Sequence, residues 1–433
     1  MNRVLVAALS GSLGVAVPFG ATGATLDVPA SYPTIQSAID AAGVGDTVLV
    51  APGTYTNCFL GPCLPTVATL KTGVAVVSSG GPDVTTLRVD VAAGGSSVVR
   101  AQGIAEPGTT LSGFTIESTA PGYRGAVFLS SDTIVVSNCR FVGISSGETK
   151  GSGIFSNFCD LTLRGCDLVR CEAEQGAAAA WGDGGVVLLE RCRFIENEKG
   201  GASFGGGVGG ELTMTACEFR ANSGGSALTV VEIPDVEIRE CSFVGNRNES
   251  GISALVMATE SGPPGGTVSV TSNIFVGNEA SGSTSAAVGW RASGTIANNT
   301  FWGNSGTAAS SVLDIHTGGG TVVRDNIFSG GLGAPAYVAD FVQPAADCND
   351  FWINEGGDHS GYYVPAPTDL FLDPLFCNPA MGDLTLQSSS PCLPENSDGC
   401  GQIGALGMGC GALAIDPLSW GRVKSGYRSG DGR

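Results

Sequence analysis

One short unit recurs along the middle of the chain. It occupies residues 136–141 (VSNCRF), 163–168 (LRGCDL), 189–194 (LERCRF), 214–219 (MTACEF), 238–243 (IRECSF), 270–275 (VTSNIF), 296–301 (IANNTF) and 323–328 (VRDNIF). Ile116 precedes the series and Phe351 extends it; the successive gaps are 25, 27, 26, 25, 24, 32, 26, 27 and 23 residues. The one long gap contains the loop-forming stretch 260–266 (ESGPPGG). A period near 26 means a stacked array and not a set of globular domains, because no single unit has enough apolar residues to bury a core alone. The leucine-rich repeat, the main competitor at this period, requires Leu-x-x-Leu-x-Leu spacing, which the units lack.

Within each unit, apolar and polar residues alternate with the period of a strand, and the parity slips once in the middle, where the chain must bend. Leu161, Leu163 and then Cys166, Leu168 show this, as do Leu212, Met214 and then Cys217, Phe219. A third strand lies upstream, near 126–128, 153–155, 227–229 and 254–256. Three short strands and their bends make one coil of a parallel β-helix, with coils about 4.8 Å apart. The aromatic or Leu positions are expected to point inward, as are Cys139, Cys166, Cys192, Cys217 and Cys241. Asn273, Asn299 and Asn326 continue the Cys series, where stacked side chains can bond along the axis. Asn197, Asn222, Asn246, Asn278, Asn304 and Asn354 follow each aromatic by three residues and are expected at sharp bends, since Asn tolerates left-handed backbone. Arg140, Asp167, Arg193 and Glu218 fall outward on consecutive coils, an alternation that favours register.

Residues 32–55 (YPTIQSAIDAAGVGDTVLVAPGTY) resemble the N-terminal signature of secreted bacterial proteins of the right-handed parallel β-helix, pectate-lyase-like superfamily. The resemblance implies an all-β right-handed solenoid with a short capping helix near 35–42, whose Ile35, Ala38, Ile39 and Ala42 share one helical face. Residues 390–393 (SPCL) and 403–407 (IGALG) resemble the closing segment of the same proteins. The Phe-x-x-Asn units also resemble those of polymorphic outer-membrane adhesins. The expected organisation is a signal peptide at 1–24, the β-helix and its cap at 25–360, a Cys-rich closing segment at 361–410, and a tail at 411–433. The signal reading rests on Arg3, an apolar stretch at 4–17, and the small residues 21–24. No later run is long enough to span a membrane.

An exported location fits the 14 Cys. Cys58 and Cys63 bracket a short loop and are expected to bond. Cys348, Cys377, Cys392, Cys400 and Cys410 are the other disulfide candidates, whereas the ladder thiols are expected to be mostly free. With two His and no Cys-x-x-Cys, a zinc site is not expected. The net charge of −19 excludes a nucleic-acid binder.

The hydrolases of the superfamily use Asn-x-Asp, Asp-Asp, Gly-His-Gly and Arg-x-Lys motifs. Asp-Asp and Gly-His-Gly do not occur here, and Asn-x-Asp (396–398) and Arg-x-Lys (422–424) occur only outside the repeat, so the set is not found; the Trp-Ile-Asp-His-like signature of the lyases is also missing. Arg291, Asp314 and His316 are the remaining catalytic candidates, read as projecting from adjacent coils of the third strand; the alternative is an ordinary surface His. With Val127, Ile154, Ala180 and Ser203 inward, the next residues Phe128, Phe155, Trp181 and Phe204 would form an outward aromatic strip suited to sugar rings. If the parity is off by one, the same ladder is core. The expected function is thus a non-catalytic exported β-helix that binds glycan or surface material. The alternative is a lyase of acidic polysaccharide, and Ca²⁺ is the one cofactor that this alternative leaves open.

Overall fold

The computed structural model describes residues 23–410, apart from 57–65, 90–96, 105–107, 119–124, 132, 147–150, 174–178, 207–209, 260–265, 282–286, 307–311, 318–319, 334 and 340–342. Cys58, Cys63 and most of the 1–24 and all of the 411–433 segments lie outside the described residues.

Three parallel sheets run the length of the solenoid. The first has 13 strands, from Thr25–Val28 to Ala345–Asp347; the second has 12, from Gly53–Thr56 to Asp350–Trp352; the third has 12, from Ala68–Thr69 to His359–Gly361. Each coil contributes one strand to each sheet in turn. The helix Ile35–Ala41 sits over the first coil, with Thr34 as its capping residue and Ile35, Ala38 and Ile39 buried. It covers the open end of the stack, where unpaired strand edges would otherwise invite association.

The second sheet carries the inward aromatic ladder. Phe194, Phe219, Phe243, Phe275, Phe301, Phe328 and Phe351 stack with centroids 4.6–5.1 Å apart and planes within 9°. The ladder Cys are buried and unbonded. Burial pushes the Cys139 and Cys171 thiols up to about 12, so they stay protonated and unreactive at neutral pH.

The bend asparagines act differently from the expectation. The left-handed residue is the one before each Asn: Glu196 (φ 54°), Ala221 (φ 54°), Gly245 (φ 60°) and Gly277 (φ 58°). The Asn itself turns inward and is buried. Its amide donates to the Phe carbonyl of the preceding coil, as in Asn222 Nδ2 to Phe194 O at 2.9 Å, and accepts from the preceding Asn. The series therefore supplies partners to backbone groups that the bend removes from the sheets. A second ladder, Asn273, Asn299, Asn326 and Asn349, does the same between the first and second sheets. It ends on Asp369, which accepts from the Asn349 N–H at 2.8 Å.

The closing segment does not merely plug the end. Phe376, Leu384, Leu386, Leu393 and Ile403 form a second core with Val244, Val276 and Ile327 on the outer face of the second sheet. Gly404 N–H donates to Asp325 O at 2.7 Å, and Ala405 N–H to Thr300 Oγ1 at 2.9 Å. Gly404 has φ 84°, and a Cβ there would lie 2.5 Å from Ile327 Cδ1, so only glycine allows this approach. Disulfides Cys348–Cys400 and Cys377–Cys410 clamp the segment. Cys392, a disulfide candidate, is instead a free buried thiol. With its neighbours already paired, it donates to Asp350 Oδ2 at 3.4 Å.

Asp350 lies buried beneath the segment, and this desolvation pushes its carboxyl up to about 6 despite the Leu372 N–H donated to it. Its folded value exceeds the unfolded value of about 3.9. The folded state therefore binds more protons between these values, and the stability that Asp350 contributes when protonated is lost as pH rises through about 6. The difference corresponds to roughly 3 kcal/mol. The melting temperature is expected to rise on going from pH 7 to pH 5, and Asp350→Asn is expected to flatten that rise while stabilising the protein at pH 7. An unchanged slope in the variant would show that another group is responsible.

Candidate functional site

Outward residues of the second sheet fall in two columns. One reads Arg140, Asp167, Arg193, Glu218, Ser242, Ile274, Thr300, Ile327 and Asp350 from coil to coil. The other reads Val142, Val169, Ile195, Arg220, Val244, Val276, Trp302, Ser329 and Trp352. The change from charged to largely uncharged residues marks where the closing segment lies down. From Val244 onward the face is covered; before it, the face is open.

That open half is a groove of about 630 Å³, lined from Pro82 and Asp83 to Arg220. It crosses six coils, about 24 Å at the usual strand spacing. Its walls carry Arg140, Arg170, Arg193 and Arg220 against Asp83, Glu117, Asp167 and Glu196. The groove is thus balanced in charge, on a chain with 21 basic against 40 acidic residues. Arg193 binds Asp167 through Nε and Nη2 at 2.6 and 2.5 Å, Arg140 reaches Asp83 at 2.9 Å, and Arg220 pairs with Glu218 at 3.0 Å. Asp167 raises the Arg193 guanidinium above its ordinary pKa. These pairs fix the guanidiniums in place, although exposed pairs add only about 0–1 kcal/mol each to stability. Arg170 forms no ion pair among the described residues. It is exposed at the corner that follows the second sheet, with φ 52°.

The aromatic strip forms in part. Phe128, Phe155 and Trp181 pair in register on the outer face of the third sheet and are half-buried. Phe128 and Phe155 stack at 5.3 Å and 5°, Phe155 and Trp181 at 4.7 Å and 26°, and the Arg100 guanidinium lies 5.5 Å from the Phe128 ring. The central ring, Phe155, therefore has both faces stacked, and Trp181 has one. Phe204 departs from the expectation: it is buried, and Ser203 takes the outward place beside Trp181. Gly182 faces Phe204 from the preceding coil, and a Cβ there would lie 2.9 Å from Phe204 Cδ1. The space that glycine leaves accepts the ring, so the inward residues are Ala202 and Phe204, not Ser203.

Asp314 and His316 do meet, with His316 Nε2 2.8 Å from Asp314 Oδ2. Asp314 is buried rather than exposed. On the preceding coil Ile252 crowds the outer side of Gly289, the register partner of Asp314. Arg291 pairs with Thr317 across a register shift, which separates it from the Asp314 position. Among the described residues, no three His, Cys, Asp or Glu side chains converge as metal ligands would. No helix among them is long and apolar enough to cross a membrane.

Comparison with known proteins bears on the fold. No curated protein matches the sequence. Among solved structures, the A-module of Azotobacter vinelandii mannuronan C-5 epimerase AlgE6 is 16% identical, with 78% of this chain and 92% of that chain covered and a TM-score of 0.36. The AlgE4 A-module of the same organism is also 16% identical, with 82% and 98% covered and a TM-score of 0.36. The PL6 family alginate lyase AlyGC is 12% identical, with 78% and 53% covered and a TM-score of 0.31. Likenesses this low carry nothing about activity. The model of the right handed beta helix region matches residues 98–256 and 152–328, more than half of the chain. The coil-upon-coil pairing of three parallel sheets agrees with that match, and the chain belongs to the right-handed β-helix family.

Proposed function

We propose that this is an exported, non-catalytic β-helix protein that binds a uronate-bearing polysaccharide in the open groove of the second sheet. The observation that carries the reading is the groove itself: a polar channel of ligand-site size whose four Arg offset the acids on an otherwise strongly acidic molecule. Guanidiniums pair with carboxylates through two parallel hydrogen bonds, and among the described residues no acid pairs with Arg170. The apolar floor of Val142, Val169 and Ile195 suits the less polar side of a sugar chain. Export is supported by the signal-like residues 1–24 and by the two disulfides.

Among the described residues the groove lining includes no His, Lys, Tyr or Cys. Both oxygens of Asp167 are taken by Arg193, which leaves that carboxylate poorly placed to abstract a proton. Binding without turnover is the reading we propose for this surface.

Titration of the purified protein with polygalacturonate, alginate and a neutral glucan, with and without Ca²⁺, tests the reading. Binding to a uronate polymer is expected without Ca²⁺ and without release of unsaturated products. Arg170→Gln is expected to weaken it about tenfold, roughly 1.4 kcal/mol. Trp181→Ala is expected to leave affinity within twofold, because its ring is engaged with Phe155. A large loss in Trp181→Ala with none in Arg170→Gln would move the ligand to the aromatic face. Accumulation of unsaturated uronide would establish the lyase alternative.

A further inference from the structure

We infer that the groove receives the end of a polysaccharide chain and not its interior, because the protein's own closing segment blocks one end. This rests on the uronate-binding reading above and adds to it the mode of recognition. The groove follows the second sheet coil by coil, and its last lining residue is Arg220. In the next coil the partner of Arg220 is Val244, which belongs to the core that the closing segment builds, whereas Ile195 does not. A ligand lying along the coils meets covered protein at that step.

The obstruction is fixed. Asn298 Nδ2 donates to Gln402 O at 2.6 Å, Gly404 N–H donates to Asp325 O at 2.7 Å, and two disulfides tie the segment to the last coil and to itself. Arg220 is held against Glu218 at 3.0 Å, with its side chain 16% exposed, so it forms a positioned wall and not a mobile arm. The column that lines the floor as Val142, Val169 and Ile195 gives way there to a guanidinium. A terminal sugar has a free hydroxyl or carboxylate to offer that group. An internal sugar would have to continue through the covered face.

The full-length protein, with polygalacturonate and alginate fractionated by chain length, distinguishes the possibilities. If chain ends are bound, halving the mean chain length at constant polymer mass doubles the protein bound at saturation, and short oligomers saturate at one per protein. If protein bound per unit mass does not change with chain length, the groove accepts chain interiors; the end-binding inference is then wrong while uronate binding stands. If neither polymer nor its oligomers bind at any length, the uronate reading itself fails and this inference falls with it.

Discussion

Asn246→Ala is expected to destabilise the protein by about 4 kcal/mol, far more than any surface ion pair could account for. Asn246 Nδ2 donates to Phe219 O at 3.0 Å and to Asn278 Oδ1 at 2.9 Å. Its Oδ1 accepts from Asn222 N–H at 3.0 Å and Asn222 Nδ2 at 2.9 Å. Alanine leaves the Asn222 N–H without an acceptor and removes a donor from Phe219 O, in a place closed to water. Each buried group so orphaned is worth about 1–3 kcal/mol, and the small cavity adds to this. Asn354→Ala, half-buried in the same column but cut off from the ladder by Gly331, is the comparison and should lose about 1 kcal/mol, since water can replace the amide there. Urea titrations of both variants give the two values. Equal losses would show that the ladder is not what satisfies the bends.

The coil architecture was legible because a solenoid repeats its errors as well as its signals. A period read once from Phe194 to Phe219 is confirmed by each later coil. Fine placement failed where one coil departs from its neighbours. The strand that contains Phe204 looks like its predecessors in type but is offset by one residue, and the cause is Gly182 in the coil before it. Nothing within that strand records this. The expected left-handed position at each bend Asn lies one residue too late, because both Asn and its predecessor sit at the turn and only the side-chain bonds separate their roles.

The groove is hidden for a different reason. Arg140, Asp167, Arg193 and Glu218 are legible as an outward column, but those four coils alone do not show where the face is covered. Continued, the column reads Ser242, Ile274, Thr300 and Ile327, uncharged throughout and with two Ile that a solvent-facing column would not favour. The loss of charge halfway along one face is the available signal that the second half is covered and that the first half stays open. What does the covering could not be read from the repeat, since residues 370–406 lie outside it. Their contacts depend on long-range docking, such as Asn298 with Gln402, which no local pattern encodes.

Phe243→Ala is expected to destabilise by about 3–5 kcal/mol, the usual range for deleting a buried aromatic ring, and to split one unfolding transition into two. The ring lies 5.0 Å from Phe219 and 4.8 Å from Phe275 and is fully buried, so the neighbouring coils cannot close over the gap without losing register. In a stacked array each coil is stabilised by its two neighbours, and a weakened interface separates the stack into blocks that unfold on their own. The blocks here differ. The coils after Phe243 carry the closing segment, its second core and both described disulfides; those before it have the open groove and no such brace. The N-terminal block should therefore unfold first. Trp181 reports on that block, and Trp290, Trp302 and Trp352 report on the other; Trp420, the fifth, lies outside the described residues and is replaced in every variant. Fluorescence of variants that retain one or the other set should give two separate urea midpoints in Phe243→Ala and a single one in the parent. Phe243→Leu should restore most of the coupling, because Leu168 already fills the equivalent inward place two coils before Phe219. Coincident midpoints in Phe243→Ala would mean that the two halves are held together by something other than the aromatic ladder, and the Asn ladder beside it would be the next bond to cut.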